Sequence, residues 1–455
     1  MKKPLKLIVI GGVAAGTKSA SKARRDDPDM EITIVTEEPY ISYAGCGLAY
    51  YIGNVVDKRE KLFARSPEAF KTKQNITVLT RHFADRINTY DRTVQVTDLS
   101  KGSKLTLHYD RVLIATGAKA IIPPIGGINL EGVFPLHTVT DADNIKSYLS
   151  GHTVRKACII GGGYIGIEMA ENFKALGIHA TVFEKAGTIM PLLFDPDIST
   201  VCSDHIREKG VELLTGVTVE NIVGDPDGKV RAVSAGGKEY DCELVIIAAG
   251  VKPNVKLARD ARITIGPTGA IKVDKRMETS VRGIFAAGDC VEMTHLVSGK
   301  PCWFPLGSTA NKQGRVAGAN IAGGNKNYPG VLGTSIVKVF DLAVSRTGLN
   351  EREAKDNGYN TLSVTVKTPT RAGYYPGGKE VTLKLTADKG SKKLLGAQVV
   401  GTDTVDKIID TVAAALMGNL SITDLTNIDI SYSPPYSTAM GTIIVAAGVL
   451  EEKLT

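Results

Sequence analysis

The chain has 455 residues, of which 43% are hydrophobic and 23% charged, with a formal net charge of +7. That length exceeds one hydrophobic core and suits about three domains of an ordinary globular protein. No apolar run is long enough for a transmembrane helix, the six cysteines share neither framework nor metal-ligand spacing, and the mild positive charge forms no nucleic-acid patch, so the expectation is a cytoplasmic protein without metal, membrane or nucleic acid that takes anionic small molecules.

The first element is an apolar strand over residues 6–10, followed by the turn Gly11, Gly12, Val13, Ala14, Ala15 and Gly16. A helix is predicted to about Arg25, then a strand over 31–36 that ends at Glu37. This is a dinucleotide fingerprint, although Val13 occupies its middle glycine position. The turn brings backbone N–H groups to a pyrophosphate at a helix N-terminus, and the acid accepts from ribose hydroxyls. On the helix, Lys18, Lys22 and Arg25 share one face.

Next comes Ser42-Tyr-Ala-Gly-Cys46-Gly-Leu48, which places a cysteine within reach of whatever redox group the fingerprint holds. No second cysteine follows at CxxC or CxxxxC spacing, so the sulfur partner must come from outside the chain. The segment is expected to open a helix, whose N-terminus would lower the thiol pKa.

An apolar strand over 112–117 then ends in Thr116 and Gly117. The whole pattern recurs: a strand over 157–160, the turn Gly161, Gly162, Gly163, Tyr164, Ile165 and Gly166, a helix to about 176, a strand over 180–183 and Glu184. One such fingerprint is weak, but two, each with its strand and acid in place, are strong. Glu168, just past the second turn, is expected at the junction of the two cofactors. Glu184 would repel a 2′-phosphate and favour NADH, with NADPH possible because Lys185 is adjacent. A strand over 245–250 ends at Gly250, and a third over 283–289 ends at Gly288 and Asp289, where the aspartate is placed to bond a ribityl chain. From about residue 331 the texture changes to alternating strands over 335–340, 361–366 and 381–385, then helices over 403–418 and 421–426. The expected fold is α/β: two Rossmann-like folds, discontinuous as 1–118 with 252–330 and continuous over 119–251, plus an α+β domain over 331–455.

Together these features resemble the flavin-dependent pyridine nucleotide–disulfide oxidoreductases. The lone Cys46, with residues 63–70, 372–377 and 432–437, is similar to the coenzyme A–disulfide reductase branch. Gly45 and Ala49 stand where that branch has Asn and Pro, and Met440-Gly441-Thr442 replaces its Asp-Pro. The resemblance implies FAD on the first fold, NAD(P)H on the second, and a homodimer whose sites are shared across the interface. It implies a redox cycle through a mixed disulfide or persulfide on Cys46, with coenzyme A contacted by Arg25 and more weakly by Lys71 and Lys73, and with Ser42 near the sulfur. The seven histidines all lie at or before His295, so proton donation falls to a phenol, Tyr436 or else Tyr374 or Tyr375, which the resemblance implies come from the partner subunit. Ala14 stands where peroxidase and oxidase branches carry histidine. The alternatives are an NADH oxidase or polysulfide reductase using a Cys46 sulfenic acid or persulfide, and an electron-transfer reductase for a small protein.

Overall fold

A computed structural model describes residues 3–454. Two five-stranded parallel sheets form its centre. In the first, the order is Ile284–Ala286, Arg111–Ile114, Lys6–Ile10, Glu31–Val35 and Ile76–Leu79. In the second it is Glu212–Thr215, His179–Glu184, Lys156–Ile160, Leu244–Ile247 and Val133–Pro135. Their strands are short apolar runs covered on both faces, which is why they read as continuous hydrophobic segments. Ile284–Ala286 reaches the first sheet from far along the chain, after the second sheet is complete.

Each fingerprint helix begins where the sequence places it, at Ala14–Asp26 and Tyr164–Ala175. The first packs on the helix Gly307–Ile321 at very short range. A side chain at Gly314 or Gly318 would strike the carbonyls of Ala15 and Ser19, at 2.5 and 2.4 Å. Antiparallel meanders flank the folds, His82–Asn88 with Thr93–Asp98 and Lys104–His108, and Val219–Gly224 with Val230–Ala235 and Lys238–Asp241.

The C-terminal part is an antiparallel sheet in the order Ser335–Val339, Leu342–Gly348, Leu394–Gly401, Glu380–Asp388 and Thr361–Pro369. Helices Val405–Met417 and Gly441–Leu454 pack against it. The strands Leu342–Gly348 and Leu394–Gly401 and the last helix are additions to the sequence expectation. Lys384, only 7% exposed, seats this sheet on the second fold by reaching Asp195 at 3.1 Å and Asp197 at 3.0 Å. Among the described residues, no helix is long and apolar enough to cross a membrane.

Candidate active site

The two glycine turns have the same backbone solution. Gly11 has φ +115° and Gly161 φ +116°, and a Cβ on either would lie 2.0 or 2.3 Å from a carbonyl of the neighbouring strand end, Ala115 or Ala248. Neither position tolerates a side chain, so each turn hugs its sheet and presents a helix start. In the first turn Val13 is the residue before the helix and Ala14 and Ala15 open it. Gly16 lies against the carbonyl of Gly11, as Gly166 does against that of Gly161.

Gly11, Gly12, Val13, Ala14 and Ala15 line a cavity of about 530 Å³ together with Glu37, Thr116, Gly117, Gly288 and Asp289. Asp289 is half-buried and its carboxylate accepts no hydrogen bond among the described residues, while its carbonyl receives the indole N–H of Trp303 at 2.7 Å. Burial raises its pKa, opposed by His137. An unpartnered carboxylate at one end, a strand-end acid at Glu37 and a glycine turn between them fit FAD: Glu37 for the adenosine ribose, the turn for the pyrophosphate, and Asp289 for the ribityl hydroxyls. The hydroxyl of Thr116 is already engaged, donating to the carbonyl of Asn254 at 2.7 Å. It ties together the two crossings between the folds, Ala118–Ala120 and Val251–Pro253, which pair antiparallel beside Gly117 and Gly250.

At the second turn, Glu184 accepts the N–H of Gly162 on one oxygen and that of Ala186 on the other, both at 2.8 Å. Its carboxylate is thereby fixed at the strand end with lone pairs to spare. Space beside Gly163 is open. Tyr164 points its hydroxyl across to Ser335 of the C-terminal sheet at 2.7 Å, and Ile165 packs in the core between these elements.

Cys46 lies in a single 3-10 turn, Gly45–Gly47, that runs into the five-residue helix Leu48–Ile52. Cys46 as a residue is exposed, and the other cysteines are buried or half-buried. The expected lowering of its pKa is reversed: partial desolvation, then the carboxylates of Glu168 and Asp289, push the thiol up against a small opposing effect of its own backbone N–H. One turn plus five residues gives too little aligned dipole to outweigh two facing carboxylates. Glu168 is itself shifted, because burial pushes its carboxyl up to about 7 against a hydrogen bond from Tyr50. Tyr50 donates to its Oε1 at 3.2 Å.

The cysteine segment is clamped from behind. Arg59 makes a paired contact with Asp143 at 2.7 and 2.9 Å and lies over the ring of Tyr40, 4.4 Å from its centre. Lys146 donates to the carbonyl of Tyr51 at 3.0 Å. Ser42 holds a left-handed backbone (φ 53°), fixed because its N–H donates to Gly12 at 2.7 Å and its carbonyl accepts from Ala64 at 2.8 Å. That strained position joins the first glycine turn to the cysteine segment.

Arg24 is spent on the carbonyls of Pro28 and Asn75. Arg25 beside it is exposed and has no hydrogen bond or ion pair among the described residues. Lys71 and Lys73 are exposed on the helix Pro67–Gln74, which Ser21 joins to the Arg25 helix through Gln74 at 2.8 Å. Lys22 instead pairs with Asp26 at 2.6 Å.

Within the chain, no hydrogen bond or ring contact among the described residues joins the candidate tyrosines to Cys46. Tyr374 is 77% exposed, Tyr436 70%, and Tyr375 less so. Tyr374 meets the hydroxyl of Tyr432 at 3.3 Å, and the N–H of Ala372 reaches Pro434 at 3.3 Å, so the two loops form one aromatic surface. Sequence reasoning missed Tyr50, Arg59 and Asp143 and took Tyr432 only as part of the 432–437 motif; their partners are all remote in the chain. The run of tyrosines after Cys46 and that motif were the visible signals.

Comparison with known proteins agrees with this geometry. The pyridine nucleotide-disulphide oxidoreductase family matches residues 5–314, and its dimerisation domain matches residues 334–444. The chain belongs to that family. It is 38% identical to an NAD(P)H coenzyme A polysulfide/persulfide reductase of Pyrococcus horikoshii, covering 99% of both chains. It is 34% identical to a coenzyme A disulfide reductase of Staphylococcus haemolyticus, covering 95% of this chain and 96% of that one. The structure of an NAD-dependent persulfide reductase from A. fulgidus superposes with a TM-score of 0.96 at 43% identity, over 99% of this chain and 83% of that one.

Proposed function

We propose that this member of the pyridine nucleotide-disulphide oxidoreductase family is an FAD-dependent NAD(P)H reductase of coenzyme A disulfide or persulfide that works through Cys46. The observation that carries the reading is one accessible sulfur beside the FAD cavity; Cys290, next to Asp289, is fully buried, and the remaining cysteines are buried or half-buried. An internal redox disulfide has no second partner there, so the oxidised form of Cys46 is shared with a small thiol. The relatives named above, whose substrates include coenzyme A derivatives, support that substrate class.

FAD, when bound, supplies two-electron chemistry between nicotinamide and sulfur. The protein does the rest. Gly11–Gly16, Glu37, Thr116, Gly117, Gly288 and Asp289 hold that cofactor, with residues 1–118 and 252–330 as its domain. Residues 119–251 hold the nicotinamide nucleotide on Gly161–Gly166, Glu184 and Gly250, with Tyr164 and Glu168 facing the junction. Cys46 attacks the substrate disulfide and retains one half as a mixed disulfide. Two electrons from NADH open it again, returning the Cys46 thiolate and expelling a second thiolate. Arg25 receives the anionic nucleotide end of coenzyme A, assisted by Lys71 and Lys73, while Ser42 orients the sulfur end.

Residues 331–455 form the dimerisation domain, and its aromatic surface covers the Cys46 site of the other subunit. Tyr436 of the partner subunit protonates the second thiolate, with Tyr374, steadied by Tyr432, or Tyr375 as the second candidate. Free thiols throughout suit a reducing, cytoplasmic compartment. The test is the mass of the thiol released from purified enzyme by a reductant. Coenzyme A supports the proposal; a different thiol, or none with Cys46 already free, overturns it.

A further inference from the structure

The cycle above leaves one proton without a donor: the one needed by the first thiolate, expelled when Cys46 attacks. A carboxyl group on the helix packed against the cysteine segment is not fully engaged. Glu168 has Oε1 taken by the Tyr50 hydroxyl at 3.2 Å, and Oε2 accepts no hydrogen bond among the described residues. Tyr50 lies one helical turn beyond Cys46. At the end of that short helix Gly53 is so tight on Asn172 that an added Cβ would fall 1.8 Å from its Oδ1. Asn172 in turn donates to the carbonyl of Glu168 at 2.7 Å. The two helices are thus locked with the acid facing the sulfur's segment.

We propose that Glu168 is the acid that protonates the thiolate expelled when Cys46 attacks an incoming disulfide. The inference rests on the reading of Cys46 as the sulfur nucleophile. In the step, a bond forms between Cys46 Sγ and one substrate sulfur, and the original S–S bond breaks. The departing sulfur keeps the electron pair and takes the proton of Glu168, so no electrons enter or leave.

The timing follows from charge. A thiolate and a carboxylate facing each other resist being ionised together near neutral pH, so the pair holds one proton between them. Attack consumes the Cys46 thiolate while burial still holds a proton on Glu168 into the neutral range. That proton passes to the leaving thiolate as it appears. Burial places the carboxyl at about 7, with Tyr50 pulling it down and Glu171 pushing it up. Such an acid gives its proton readily to an ordinary thiolate, whose conjugate thiol lies near about 8.5. The groups facing the pair are Tyr50 and Cys46 from the cysteine segment, Tyr164 and Glu171 from Glu168's own helix, and Asp289 from its strand end. Glu171 is held by Lys338 and by the N–H of Phe340.

The test uses FAD-loaded enzyme with Cys46 freed by reductant and no nicotinamide. Formation of the Cys46 mixed disulfide is followed by mass with a dialkyl and with a diaryl disulfide. Alkyl thiolates leave poorly unless protonated, whereas aryl thiolates leave unaided. Below neutral pH, Glu168→Gln is expected to slow alkyl exchange about a hundredfold, the low end for positioned proton transfer, and aryl exchange by less than about twofold. A structural role would slow both, and a purely electrostatic one would speed both. Either result, or no change, overturns the proposal. Tyr50→Phe removes a hydrogen bond that lowers Glu168, so the pH above which alkyl exchange declines should rise; an unmoved profile counts against the proposal. Full turnover by Cys46→Ser would instead sink the underlying reading, independently of these profiles.

Discussion

Gly162 donates its backbone N–H to Oε2 of Glu184 at 2.8 Å, which joins the second glycine turn to the acid that ends the following strand. With Ala186 on the other oxygen, the carboxylate cannot swing aside to admit a 2′-phosphate. NADH should therefore be favoured over NADPH by at least about tenfold in kcat/KM, the size of one contact near 1.4 kcal/mol. Comparing both nucleotides in wild type and Glu184→Ala decides the matter. A better rate with NADPH, or a ratio unchanged by the substitution, refutes the assignment.

Cys46→Ser should abolish disulfide reduction while FAD stays bound and reducible by NADH. The serine hydroxyl is nearly isosteric but cannot form a mixed disulfide. Flavin absorbance during anaerobic NADH addition reads the first half of the reaction, and thiol release reads the second. Disulfide turnover at the wild-type rate would exclude Cys46 as the nucleophile.

Much of the architecture was legible because it depends on local patterns. Glycine turns, apolar strands and strand-end acids are set within about 35 residues of each other, and both sheets follow from them. What escaped were relations across the fold. The sequence around Cys46 reads as a helix start that lowers the thiol, yet Glu168 and Asp289, far along the chain, reverse the shift. Arg59 with Asp143 and Tyr374 with Tyr432 are likewise pairings that no local period reveals. The strands Leu342–Gly348 and Leu394–Gly401 lie inside the sheet and lack the alternation of a half-exposed strand.

Lys384 is expected to act as the pin between the C-terminal sheet and the second fold. Lys384→Met would leave Asp195, which is 4% exposed, buried without its cation. Breaking such a buried pair costs about 3–5 kcal/mol. The apparent thermal midpoint should fall by several degrees, and dimerisation should weaken with it. Desolvation opposes the charge, but the carboxylates of Asp195 and Asp197 win and raise the lysine pKa. Its contribution is then complete below the unfolded value and fades as pH rises through the higher folded one. Stability should be flat through neutral pH and decline in alkali more steeply in wild type than in Lys384→Met. A midpoint unchanged by the substitution would show that the cluster contributes nothing net.

Tyr436 is 70% exposed and has no hydrogen bond or ring contact to Cys46 among the described residues of its own chain, so its proposed role requires a second subunit. Tyr436→Phe removes the hydroxyl while keeping the ring, and the fold and FAD content should survive. Positioned proton transfer contributes roughly 10²–10⁴-fold, and a fall towards the lower end is expected because a phenol near pH 7 is a weak donor. The decisive measurement mixes Cys46→Ser subunits with Tyr436→Phe subunits, each nearly inactive alone. If the tyrosine acts across the interface, a mixed dimer holds one site with both groups intact and one with both lost, so activity returns in proportion to the mixed dimers formed. If the tyrosine acts within its own chain, every site in the mixture still lacks one group and nothing returns. Mixed dimers confirmed by mass, with no recovered activity, would place Tyr436 outside the chemistry of the partner's cysteine.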